Sequence, residues 1–146
     1  MYFINYHQAA FTLIEMLVVV TIVAMLATTS LWLFRLQVAK GRDSQRKDHL
    51  MKLKTVLEDY YADHDRYPAS LPSCGNAFLP YLEAVPCDPR GENYAYETDG
   101  QSFKIFAKLE NEKDPSISEV GCQGGCGPGG AYNWGVSSSN TRPGTP

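Results

Sequence analysis

The chain has 146 residues, 44% of them hydrophobic and 12% aromatic, with a formal net charge of −3. That length holds one small domain plus an extra element and excludes a large enzyme. The aromatic content argues against disorder, and the acidic balance disfavours a strongly basic nucleic-acid module. These averages hide a sharp segregation. Residues 35–54 hold seven basic side chains (Arg35, Lys40, Arg42, Arg46, Lys47, Lys52, Lys54) against Asp43 and Asp48, whereas residues 55–146 hold six basic and thirteen acidic ones. The acidic remainder reads as ordinary solvated surface.

From Met16 to Phe34, nineteen residues carry no charge. As a helix they span about 29 Å, close to the hydrocarbon thickness of a bilayer. The polar members Thr21, Thr28, Thr29 and Ser30 can bond back to helix carbonyls. A buried core helix would need more chain to wrap an apolar rod than is present here. A secretory signal would carry a basic start and a shorter apolar core. Residues 1–10 contain no Lys or Arg, although Ala24, Ala27 and Ser30 offer small residues of the kind a cleavage site uses. Glu15, the acid at the start of the run, is costly in a membrane and marks a functional pairing. Its alternative role is an interfacial acid in the first helical turn, where the helix dipole suits it.

Ala10-Phe11-Thr12-Leu13-Ile14-Glu15 followed by this run resembles the prepilin processing signal of type IV pilins and type II secretion pseudopilins. The resemblance implies an aspartyl prepilin peptidase cutting between Ala10 and Phe11 and N-methylating Phe11. Ala10 stands where the family usually has Gly, and the leader lacks the family's usual basic residues. It also supplies a partner for the acid: in a bundle of identical helices, Glu15 of one subunit faces the Phe11 α-amine of its neighbour, and that pair sets the stagger. Positive-inside counting would put residues 35–54 in the cytoplasm. The family places that end outside, and the FTLIE signal is the more specific of the two. The basic block then lines filament interior surfaces or forms a solvated helix face.

No Pro occurs between Phe11 and Arg66, so the helix is expected to continue to about His64, a rod of roughly 80 Å. Leu50, Leu53, Leu57, Tyr60, Tyr61 and His64 follow helical spacing on one face; Asp43, Arg46, Lys47, Lys54 and Glu58 are assigned to the polar side. Gly41 is a point of tolerated weakness or bending. Residues 66–91 read as a proline-rich loop with one helical turn at Ala77–Glu83. Residues 93–109 read as a hairpin turning at Thr98-Asp99-Gly100-Gln101. A third strand is expected at Ala131–Val136, loop at Gly121–Gly130, and a flexible tail from Ser137. The order resembles the pilin fold, an α+β arrangement of a long N-terminal helix packed on a small antiparallel sheet.

Cys74, Cys87, Cys122 and Cys126 allow three connectivities, with Cys74–Cys87 and Cys122–Cys126 favoured as staples for a small exported head. Zinc ligation and free thiols are the competing readings. Related pseudopilins bind calcium near the sheet, and Glu110, Glu112, Asp114 and Glu119 are the acids available, without EF-hand spacing. His7, His49 and His64 have no nucleophile partner in a recognisable motif, and the glycine run at 124–130 lacks a phosphate loop's Lys-Ser/Thr. Tyr60 and Tyr61 beside basic residues are core candidates before they are a nucleic-acid stacking platform.

The expected organisation is therefore a leader (1–10), a membrane and assembly half-helix (11–34), an amphipathic half-helix (35–64), a globular head (65–136) and a tail (137–146). The expected function is non-enzymatic: a subunit of a homo-oligomeric type IV pilus-like filament. It is held as a single-pass inner-membrane protein with an extracytoplasmic head before an assembly platform extracts it from lipid. The alternatives are a major-type pseudopilin of a secretion system, ending in a periplasmic pseudopilus rather than a surface pilus, and a signal-anchored binding module that never polymerises.

Overall fold

The computed structural model describes residues 11–144; the expected leader, residues 1–10 with Ala10, lies outside the described residues. The chain divides between Val38 and Ala39 into two units, and one helix, α1 (Leu13–His64), runs through both. Thr12 starts it by accepting the Glu15 N–H on its Oγ1 at 3.3 Å, the geometry of a helix N-cap. Asp65 ends it in a left-handed conformation (φ 55°), with its N–H on the Tyr61 carbonyl at 2.8 Å. Tyr67 and Pro68 then take the chain away from the helix.

In the first unit the apolar side chains described along α1 are exposed, among them Leu13, Ile14, Leu17, Val20, Ile22 and Leu26. In the second unit its seam of Leu50, Leu53, Val56 and Leu57 is buried in the core. Against that core lies a three-stranded antiparallel sheet in the order β1 (Ala95–Thr98), β2 (Phe103–Ala107), β3 (Trp134–Ser137). The hairpin pairs Ala95 with Phe106 and Thr98 with Phe103. Asp99 closes its turn by accepting the N–H groups of Gln101 and Ser102 on Oδ1, with Gly100 at φ 86°. Phe103, Ile105, Ala107 and Leu109 are buried, as their alternation predicts, and so is Phe106 on the opposite face. That second face is covered by the segment after Cys126, where Tyr132 stacks on Phe106 with ring centroids 6.1 Å apart. At Gly127 (φ 67°) an added Cβ would lie 2.8 Å from the Phe106 ring, so only glycine lets the loop sit this close.

Three local expectations differ from the structure, and one short helix had no expectation set for it. The helical turn expected at Ala77–Glu83 is instead a tight loop closed by pairing of Phe78 with Leu82. Pro80 has no N–H to give and pushes Leu79 out of the helical region. The third strand begins at Trp134 rather than Ala131. Tyr132 pairs with Cys126 instead, and the Asn133 side chain mimics a strand partner by accepting the Leu109 N–H (2.7 Å) and donating to its carbonyl (3.0 Å). A short helix, α2 (Pro115–Glu119), follows an Asp114 N-cap with Pro at its first turn. The segment expected as a flexible tail is packed through Gly144: Ser137 belongs to β3, Ser138 is buried, and the Gly144 N–H reaches the Val120 carbonyl at 3.1 Å.

Candidate functional site

The N-terminal part of α1 is the first candidate site. Leu13–Ser30 has a mean hydropathy of 2.1 with none of it buried in the structure, and its eighteen residues span about 27 Å. Its hydroxyls are absorbed locally. Thr21 donates to the Val18 carbonyl (2.7 Å), Thr28 to Met25 (2.9 Å), Thr29 to Leu26 (3.0 Å) and Ser30 to Leu26 (2.9 Å), so no hydroxyl of this span asks for water. Phe11 is 69% exposed just ahead of the helix. Glu15 lies in the first turn, one turn after Thr12, where the dipole favours an anion. Its carboxylate has no ion-pair partner among the described residues. An all-round apolar helix bearing an unpaired acid near its amino end can be satisfied by lipid along its sides and by a cation at one point.

The second site lies wholly in the second unit and was missed by sequence reasoning. Asp43 and Arg46, assigned above to the solvent side, are 3% and 2% exposed. They precede Leu50, Leu53 and Leu57 at alternating three- and four-residue intervals, so they fall on the core-facing side of α1. Helical phase, rather than residue type, was the available signal. Arg46 donates from Nε and Nη2 to both oxygens of Asp88 (2.6 and 3.2 Å), and from Nη1 to Asp43 (2.8 Å) and Glu110 (3.1 Å). Arg42 holds Glu110 through Nε at 2.7 Å and through Nη2. Asp43 in turn accepts the backbone N–H groups of Glu110 (2.8 Å) and Asn111 (2.9 Å). Lys47 reaches Asp114 at 2.8 Å, and Asp114 caps α2 through the Ser116 N–H at 3.0 Å.

The electrostatics follow from these contacts. The hydrogen bond from Arg42, aided by Arg46 and opposed by burial, pulls the Glu110 carboxyl down to about 2. For Asp88, burial acts to raise the pKa, and the bonds from Arg46 and the Arg90 amide more than offset it, leaving it below the ordinary value. The network thus holds ionised carboxylates around Arg46 and ties the chain at Asp88 and at 110–114 to α1. It answers the question of what the basic block faces: Arg42, Arg46 and Lys47 are engaged by acids of the same chain.

The structure brings Cys74 to Cys87 and Cys122 to Cys126 as disulfides, with Cα–Cα distances of 4.8 and 5.2 Å. The acids considered for calcium do not converge: Glu110 and Asp114 face cations, and Glu112 and Glu119 are exposed. Among the described residues no group of three or more His, Cys, Asp or Glu side chains is arranged to hold a metal ion. Tyr60 stacks on His64 at 4.1 Å and on Phe78 at 5.5 Å, His49 faces the Tyr94 hydroxyl at 2.9 Å, and among the described residues neither histidine is hydrogen-bonded to a Ser, Thr or Cys side chain.

A long apolar helix, a further helix and a small antiparallel sheet define an α+β protein consistent with the pilin-like fold. Residues 5–31 match the family model of the prokaryotic N-terminal methylation motif, the prepilin-type cleavage and methylation signal of type IV pilins and pseudopilins. The motif supports a type IV pilin- or pseudopilin-like protein, and with the apolar helix it fits membrane anchoring. No curated protein and no solved structure matches the chain.

Proposed function

We propose that this chain is a structural subunit of a type IV pilus-like filament. In this reading prepilin peptidase cuts between Ala10 and Phe11 and methylates the Phe11 amine. The mature chain waits in the inner membrane by its apolar helix with the head outside. Assembly then exchanges lipid for identical helices, and Glu15 of one copy neutralises the Phe11 amine of the next. The observation that supports this best is Leu13–Ser30, apolar and unburied, lying within the residues 5–31 that match the processing motif. A membrane span alone needs no acid at its amino end; a span that must also register against copies of itself does.

The test has two parts. Intact mass of the chain from its native membrane is expected to start at Phe11 with one added methyl, and to show two disulfides by a four-proton gain on reduction. Glu15→Gln is expected to be processed normally yet yield no filaments. A chain that retains residues 1–10, or a Glu15→Gln variant with unaltered filament yield, would overturn the reading and leave a signal-anchored module. Loss of surface pili on deletion, as against loss of protein secretion, separates a pilus from a pseudopilus.

A further inference from the structure

Within the second unit, the side of α1 opposite the leucine seam is exposed among the described residues. Gly41, Ser44, Asp48, Lys52, Thr55 and Asp59 recur at three- and four-residue intervals and are all exposed, which places them in one stripe. Met51 stands beside it, 54% exposed. Three other cations in this stretch are committed: Arg42 to Glu110, Arg46 to Asp43 and Asp88, Lys47 to Asp114. Asp48 and Lys52 have neither an ion-pair nor a hydrogen-bond partner among the described residues. Gly41 adds an independent observation. Glycine weakens a helix interior, yet a Cβ built there would meet nothing within 4 Å. No contact among the described residues therefore asks for its small size.

We propose that this stripe is a contact with a second copy of the chain, parallel and displaced along the helix by four residues, or about 6 Å. That displacement brings Lys52 of one copy level with Asp48 of the next. Met51 supplies apolar contact beside the ion pair, and Gly41 and Ser44 let the second backbone approach. The proposal rests on the filament reading and extends it from the membrane segment to the head-bearing part of the helix. Four residues also separate Phe11 from Glu15, the same spacing as Asp48 and Lys52. Opposite charges placed one turn apart on one face make the surface self-complementary only at this displacement. With no displacement Asp48 faces Asp48 and Lys52 faces Lys52, which is repulsive.

The experiment compares filament yield in cells producing the full chain as wild type, Asp48→Lys, Lys52→Asp, and the two variants together. Each variant alone is expected to lower yield about tenfold or more, because every copy then presents like charges to its neighbour. Co-expression is expected to restore assembly, since alternating copies again meet opposite charges. A pair formed only within one helix would not be restored by mixing, because neither variant chain contains both an acid and a base at these positions. Gly41→Leu is the second probe: the chain itself leaves room for it, so it is expected to block assembly without lowering the unfolding midpoint of the detergent-solubilised monomer. Variants that polymerise like wild type, mixing that restores nothing, or a Gly41→Leu chain that assembles normally each overturn this contact. A wild-type chain that makes no filament overturns the filament reading itself, and this contact with it.

Discussion

Replacing Arg46 by Met keeps most of the side-chain volume and removes the charge at the centre of the buried network. Arg46 is 2% exposed and binds three carboxylates, of which Asp43 is 3% exposed. Breaking a buried ion pair from one side costs on the order of 3–5 kcal/mol, because the partner charge stays in a poorly solvated place. Here the partners keep some compensation. Asp43 still accepts two backbone N–H groups, Glu110 keeps Arg42, and Asp88 keeps the Arg90 N–H. That places the loss at the lower end, about 3 kcal/mol. With a urea slope near 2 kcal/mol/M for a unit of this size, the midpoint falls by about 1.5 M. The assay is urea unfolding of the detergent-solubilised chain followed by the fluorescence of Trp134, which is buried and reports on the sheet. A loss below about 1 kcal/mol at unchanged slope would mean that the network behaves as a solvated surface cluster, refuting the assignment of Arg46 as the tie between α1 and the rest of its unit.

Glu110 makes stability acid-sensitive. Its folded pKa, about 2, lies below the ordinary 4.5, so its contribution is fully present above about 4.5 and is lost as pH falls from there toward about 2. Glu110→Gln is expected to be less stable at neutral pH and to lose part of the acid limb when unfolding midpoints are measured from pH 7 to pH 2; an unchanged limb would refute this. The disulfides differ in the loops they close, with sequence separations of 13 and 4. Loop entropy assigns about 3 kcal/mol to Cys74–Cys87 and about 2 kcal/mol to Cys122–Cys126. Thermal unfolding of the two double-Ser variants is expected to follow that order, and the reverse order would show that the short bridge acts mainly by holding the glycine loop over Phe106.

What the sequence determined by itself was whatever depends on neighbours along the chain. The uncharged run after Glu15 and the missing prolines specify one helix, because backbone hydrogen bonding and side-chain periodicity are local. The hairpin register follows from alternation and from Asp99-Gly100, whose turn chemistry is also local. The processing motif is legible for the same reason: it is read as a linear string. The tertiary structure decided what depends on residues far apart. Asp43 and Arg46 look like surface residues until Asp88 and Glu110, more than forty positions later, surround them; buried charge is tolerated only where such partners arrive. Tyr132 left the third strand for Cys126, and Asn133 took up a strand's hydrogen bonds with its side chain. Helical phase placed Asp48 and Lys52 on the bare side of α1 in the same way that it placed Arg46 on the buried side. Only the packed head, however, showed which of these charges already had partners.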